Sequence, residues 1–218
     1  MSAGIHPLAG VIAALARGIS GVQARWIGCR PEAKQRIYFA NHTSHLDFVV
    51  LWSALPAEVR ARTRPVAAKD YWEKGVRAYL AQRVFRAVLV HRGGVAQPGG
   101  NAAGFGEARM VIDQLAEAMG ETESLIFFPE GTRGTGEMIA PFRSGLYHLA
   151  HRKPEVELVP VYIENLGRIL PKGEVLPVPL ICLLTFGPPM HIAETEEKRS
   201  FLDRACAAVN ALRRKGQS

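Results

Sequence analysis

Ile37-Tyr38-Phe39-Ala40-Asn41-His42-Thr43-Ser44-His45-Leu46-Asp47-Phe48-Val49-Val50-Leu51 passes from an apolar run through a polar cluster into a second apolar run. The apolar run 37–40 is short and reads as a strand. The polar cluster 41–44 ends it, and a helical pattern follows through Leu55. Ser44-x-x-Asp47 has the form of a variant capping box placed just before the apolar run Phe48–Leu51. A strand, a polar turn and a helix in immediate succession are one unit of an α/β layer.

The same alternation continues outward. Pro65–Ala68, Ala87–Val90, Leu125–Phe128, Val156–Ile163 and Leu180–Phe186 read as strands. Trp72–Phe85 carries Trp72, Val76, Tyr79, Leu80 and Val84 at helical steps, and Glu107–Met119 is an amphipathic helix closed by Gly120 at C′. Gly145–His151 is a short helix, and Thr195–Arg213 is a long terminal one starting at a Thr cap. Strands alternating with helices predict a single α/β domain whose mixed or largely parallel sheet is flanked by helices. At 218 residues one domain is the expected size. No repeat or low-complexity linker divides the chain. The glycine-rich stretch 93–106 has no Walker lysine and no dinucleotide spacing, and reads as a surface loop.

Residues 1–16 carry no Asp, Glu, Lys or Arg, but the segment is short of the roughly 20 apolar residues that a spanning helix needs. An amphipathic, interfacial helix through Leu8–Ile19 is expected, which makes 1–20 an interfacial segment and 21–218 the folded domain. The uncharged run 175–193 is broken by Pro177, Pro179, Gly187, Pro188 and Pro189 and reads as a buried strand between turns. The expected protein touches a membrane without crossing it.

The formal charge is +7, and it is local. Residues 60–92 hold nine basic residues (Arg60, Arg62, Arg64, Lys69, Lys74, Arg77, Arg83, Arg86, Arg92) against Asp70 and Glu73, while the remainder of the chain is balanced. Such a segment is either a solvated helix face or a surface for polyanions. Nucleic acid is disfavoured: there is no zinc-finger spacing, no aromatic–basic interleaving and no RNA-binding signature. The cysteines Cys29, Cys182 and Cys206 are odd in number and far apart, which argues against a disulfide framework or structural zinc and suits a reducing compartment. No basic residue precedes the apolar N-terminus, so a secretory signal is not expected.

His42 and Asp47 are the first candidate site. Five residues of regular helix would turn them about 140° apart, so they meet only if His42 ends the strand and Asp47 lies in the first turn of the helix. Two readings stand at this point. Asp47 either caps the helix by bonding back to the Ser44 amide, or holds one imidazole nitrogen so that the other can take a proton from a hydroxyl. A metal reading through His42, His45 and Asp47 lacks a second ligand cluster. Gly-x-Ser-x-Gly is absent, so the hydroxyl would belong to a second substrate. Phe128-Pro129-Glu130-Gly131-Thr132-Arg133 is the second candidate site. Gly131 lets backbone approach a ligand, Thr132 offers a hydroxyl, and Arg133 offers a planar fork suited to phosphate.

Asn41-His42-x-x-x-x-Asp47 resembles the first block of the glycerolipid acyltransferases. Ala87-Val-Leu-Val-His-Arg92, Phe128–Arg133 and Val159-Pro160-Val161-Tyr162-Ile163 resemble the next three, in the family's order. Phe186-Gly187-Pro188-Pro189 is a similar flanking feature. The resemblance implies a glycerol-3-phosphate acyltransferase-like fold, with an acyltransferase domain over 21–218. It implies direct transfer of a fatty acyl group from acyl-CoA or acyl carrier protein to the free hydroxyl of 1-acylglycerol 3-phosphate. His42 would be the general base and Asp47 its orienting partner. Arg92 and Arg133 would hold the acceptor phosphate, with Glu130, Gly131 and Thr132 beside them; Glu130 either holds the loop or its arginines, or meets glycerol hydroxyls. No cofactor or metal is implied. The partners would be a lysophospholipid, an acyl thioester and an anionic membrane surface, at the cytoplasmic face of the membrane and peripheral to it. His91, and Arg143 with Ser144-Gly145, depart from the pattern, and Lys69 resembles a recurrent basic position. The alternatives are acylation of another lysolipid or an ornithine-lipid precursor, or lipid binding without catalysis.

Overall fold

The computed structural model describes residues 7–44, 46–91, 102–134, 138–164 and 182–215. Among them, seven strands form one sheet: β1 (Gln23–Trp26), β2 (Arg36–Ala40), β3 (Thr63–Ala68), β4 (Val88–Val90), β5 (Ser124–Phe127), β6 (Glu157–Glu164) and β7 (Leu183–Phe186). Their order is β1-β7-β6-β2-β5-β3-β4. All neighbours are parallel except β6 and β7. A parallel sheet needs cover on both faces, and the strand sequences supply two apolar faces. Tyr38, Ala40, Ile126, Val159 and Val161 join one core cluster. Ile37, Phe39, Leu125, Phe127 and Leu158 join the other.

The first cluster is covered by α1 (Pro7–Ser20), α2 (Asp47–Ala54), α3 (Ala57–Ala61), α4 (Lys69–Trp72), and α5 (Gly75–Tyr79) with the π-helical turn Leu80–Val84 that continues it. Phe48, Trp52, Trp72 and Phe85 lock this layer edge-to-face, with ring centroids 5.0–6.3 Å apart. The second cluster is covered by α6 (Ala102–Met119), α7 (Gly145–Arg152) and α8 (Lys198–Lys215). The expected single α/β domain with helices on a largely parallel sheet is thus what forms.

Several boundaries differ from the sequence reading. The helix expected over Trp72–Phe85 is broken, because Gly75 takes a positive φ of 59° and starts a new helix. β1 has no apolar alternation, being a mostly exposed edge strand, and periodicity does not reveal it. α6 starts at Ala102, inside the stretch 93–106 expected to be a loop, whereas residues 93–101 of that stretch lie outside the described residues. α8 begins at Lys198, three residues beyond the expected Thr195 cap. Of the strand expected over Leu180–Phe186, Leu183–Phe186 is a strand, and residues 180–181 are outside the description. In α1 the small Ala9 and Ala13 are buried in the core cluster and Ile12 packs against it, whereas Leu8, Val11, Leu15 and Ile19 face outward.

Candidate active site

Ligands of open parallel sheets bind beyond the carboxyl ends of the strands. At that edge the chain leaves β2 at Asn41, β5 at Phe128, β3 at Lys69 and β4 at His91. The first and third sequence blocks, far apart in the chain, converge there because each follows a strand and the two strands pair in parallel.

Asn41 fixes the exit from β2. Its side chain is buried, donates Nδ2 to the Ile163 carbonyl at 3.0 Å and accepts the Ile163 amide on Oδ1 at 2.7 Å. It thereby prolongs the β2–β6 ladder past the last register pair, Ala40 with Val161. His42 follows, with Nδ1 2.7 Å from Asp47 Oδ2. Asp47 is fully buried, and its Oδ2 also accepts the Thr43 amide at 2.6 Å and the Ser44 amide at 2.8 Å. One carboxylate therefore makes the contacts of both readings, bonding back to the Ser44 amide and holding Nδ1 of the imidazole. The expected hydroxyl half of the capping box is changed: Ser44 Oγ accepts the Leu46 amide at 3.3 Å. A carboxylate on Nδ1 keeps the proton there and leaves the Nε2 lone pair available. The ring stacks on Phe128 with centroids 4.4 Å apart and remains 21% exposed. His45 lies outside the described residues.

Glu130 grips the same histidine by its backbone. Its Oε1 accepts the His42 amide at 2.7 Å and its Oε2 the Ala140 amide at 3.0 Å. The carboxyl is 3% exposed, and burial pushes its pKa above the usual value, with the two amides pulling it back. The loop returns to His42 once more, because the Gly134 amide donates to the His42 carbonyl at 2.8 Å. The His42 peptide is thus bracketed on both sides by residues 130–134. Among the expected roles of Glu130, the geometry is that of a loop-holding group.

Gly131 has a φ of 69°, and a Cβ there would fall 2.8 Å from both Cδ and Nε of Arg143. The left-handed backbone favours glycine, and a Cβ there would also push the Arg143 side chain aside. Thr132 and Arg133 are exposed at the mouth of this loop. Lys69 Nζ is 3.5 Å from His91 Nε2 at the ends of β3 and β4. Arg92 falls outside the described residues. The structure therefore brings together His42, Asp47, Glu130 and Gly131, with Thr132 and Arg133 on the same loop. Sequence reasoning missed the buried ties of Asn41 and Ala140 and the passage of Arg143 over Gly131. Only the small residue at 131 hinted at that passage.

In chemical terms, an imidazole with a carboxylate on Nδ1 and an open Nε2 is an arrangement able to accept a proton from a hydroxyl. The family described as Acyltransferase matches residues 27–164. A 1-acyl-sn-glycerol-3-phosphate acyltransferase of Limnanthes douglasii is 28% identical over 185 residues, covering 83% of this chain and 59% of that protein. The 1-acyl-sn-glycerol-3-phosphate acyltransferase alpha of Homo sapiens is 26% identical over 136 residues, covering 62% of this chain and 42% of that one. The chain thus spans about three-fifths of the length of the plant relative. The crystal structure of the 1-acyl-sn-glycerophosphate acyltransferase PlsC from Thermotoga maritima superposes with a TM-score of 0.66 at 18% identity, covering 97% of this chain and 80% of that one. With the family pattern running from the end of β1 to the end of β6, and so across both halves of the site, the chain belongs to the acyltransferase family.

Proposed function

We propose that this protein transfers a fatty acyl group from acyl-CoA or acyl carrier protein to the free hydroxyl of 1-acylglycerol 3-phosphate, giving phosphatidate. The observation that carries this reading is the 2.7 Å contact of His42 Nδ1 with buried Asp47. His42 Nε2 takes the hydroxyl proton as the oxygen attacks the thioester carbonyl. The C–S bond breaks and the departing thiolate takes that proton back from the imidazolium. Asp47 holds the ring's tautomer throughout. Transfer is direct; burial pushes Cys182 up to about 12, which unsuits that thiol as a nucleophile. Arg133 and Arg92 hold the acceptor phosphate.

The protein works from a membrane surface, at its cytoplasmic face and peripheral to it. Among the described residues no helix is long and apolar enough to cross a membrane. Leu8, Val11, Leu15 and Ile19 are 41%, 54%, 59% and 61% exposed along one ridge of α1, which packs on α2, the helix that carries Asp47. Val76 and Tyr79, 76% and 47% exposed, form a second apolar spot beside exposed Lys74 and Arg77. Apolar side chains that enter the headgroup layer, flanked by cations, are the chemistry of an interfacial anchor. Arg60, Arg64 and Arg86 of the 60–92 segment take no part, because they bond inward to backbone carbonyls.

The test is acyl transfer by the purified protein from labelled acyl-CoA, and separately from acyl carrier protein, to a panel of lysolipids. Phosphatidate formed from 1-acylglycerol 3-phosphate is the expected product. Transfer to another acceptor alone refutes the assignment of substrate, and no transfer to any acceptor refutes the assignment of activity.

A further inference from the structure

Arginines that this fold draws inward are satisfied by acceptors of the fold itself. Arg36 Nε bonds Glu157 at 2.8 Å and its Nη1 the Arg30 carbonyl at 2.6 Å. Arg60 Nη1 bonds the Leu55 carbonyl at 3.0 Å. Arg64 bonds the carbonyls of Arg86 and Ala118 at 2.8 and 2.9 Å. Arg86 bonds the Ala61 carbonyl and the Glu123 carboxylate, both at 2.9 Å. A guanidinium carries five donors and cannot lose its charge, so a partly buried one needs oxygens around it.

Arg143 is the exception. It is half-buried, and among the described residues its guanidinium has no acceptor oxygen and no carboxylate partner. Its place is nevertheless fixed. The Arg143 amide donates to the Pro129 carbonyl at 2.8 Å. The preceding Phe142 is buried and meets Phe39 edge-on, with centroids 6.2 Å apart. Gly145, two residues on, lies so close to Phe127 that a Cβ would be 3.3 Å from its Cζ. The side chain then runs across the α-carbon of Gly131, with Cδ and Nε 2.8 Å and Cζ 3.2 Å from where a Cβ would stand. That glycine begins the segment Gly131-Thr132-Arg133, whose far end is tied to the His42 carbonyl through Gly134.

We infer that Arg143 binds a phosphate group of the substrates, and that residue 131 is a glycine so that this guanidinium can reach it. The inference rests on the acyl-transfer reading above. It adds a further cation to Arg92 and the exposed Arg133, one whose backbone is anchored by neighbours in the core. A fixed fork is worth more to an oxyanion than a mobile one, because less side-chain freedom is lost on binding. The phosphate is either the monoester of the acceptor or a phosphate of the acyl-CoA donor, and the same variant reads both.

The experiment compares wild type with Arg143→Gln and Arg143→Lys, with melting temperature as a check on folding. Loss of a charge-assisted bond corresponds to a rise of roughly tenfold or more in KM. A rise for 1-acylglycerol 3-phosphate in Arg143→Gln that disappears with phosphate-free 1-acylglycerol assigns the residue to the acceptor. A rise for acyl-CoA that disappears with an acyl pantetheine donor assigns it to the donor. Arg143→Lys, which keeps the charge, recovers part of either loss. Unchanged KM values, or an equal loss with the phosphate-free substrates, overturn the inference, since packing alone would explain them. Where wild type transfers no acyl group, the acyl-transfer reading fails by itself. Calorimetric titration with inorganic pyrophosphate then decides this one: weaker binding by Arg143→Gln upholds it, and equal binding overturns it.

Discussion

Asp47 and Glu130 at the carboxyl edge of the sheet, and Arg60, Arg64 and Arg86 in the basic segment, are all drawn into the fold, with opposite results. The two carboxylates spend their oxygens on backbone amides and, through them, present one imidazole to the outside. The three arginines spend their donors on carbonyls and on Glu123, and tie α3, β3 and α6 together. In both regions a buried charge is satisfied by its surroundings, as it must be. At the edge, however, satisfaction leaves a reactive group exposed, whereas in the segment it consumes the charge. A concentration of charge in the sequence is therefore a poor guide to charge on the surface.

The sharpest way to break this contrast is to remove the exposed group. His42→Ala is expected to lower kcat roughly 10²–10⁴-fold with an unchanged melting temperature, measured by labelled acyl transfer and thermal unfolding. Full residual activity removes the general-base role. Asp47→Asn is expected to lower the rate by a comparable factor and to destabilise the fold by about 1–3 kcal/mol, since a neutral amide oxygen accepts the Thr43 and Ser44 amides more weakly than a carboxylate does. A slow but fully stable variant would mean that Asp47 orients the ring without holding the turn.

The contrast also explains what the sequence disclosed. The βα unit at residues 37–55 was legible because a strand and a helix differ in period, and a capping pattern stands between them. The meeting of His42 and Asp47 was legible as one of two alternatives, and the structure shows that they are compatible. β1 was not legible, because an exposed edge strand needs no apolar alternation. The break at Gly75 was not, because the apolar steps on either side remain in helical phase. The fate of Arg64 was not, because it depends on a carbonyl at Ala118 that only the tertiary fold brings near. Likewise, nothing local to Glu130 indicates that its partners are the amides of His42 and Ala140.

Smaller effects separate the arginines of the segment from one another. Arg64→Ala is expected to cost about 2 kcal/mol in denaturant unfolding, from two lost bonds to carbonyls, while vesicle binding is retained. Exposed Lys74→Glu with Arg77→Glu should do the reverse: stability holds, and partition to anionic vesicles weakens by roughly 1 kcal/mol or more per residue changed, less so at high salt. Val11→Glu on the α1 ridge should weaken vesicle binding at both low and high salt. Equal vesicle binding by all three variants would remove the proposed anchor.

Glu130 gives the smallest effect and the finest test of how the edge is balanced. Its burial favours the neutral acid, and the two amides favour the carboxylate. Burial is the larger influence, so the native pKa lies above its ordinary value of 4.5. A native pKa that is raised means that the folded protein binds this proton more tightly than the unfolded chain does. The corresponding stability is full below about pH 4.5 and is lost as pH rises through the raised native value. Glu130→Gln has no such proton. The unfolding free energy of wild type minus that of the variant, measured from pH 4 upward, should therefore fall across that window and then level off. A difference that rises with pH would mean that the amides of His42 and Ala140 outweigh desolvation. Glu130 would then be a carboxylate held by its hydrogen bonds rather than one held in spite of its burial.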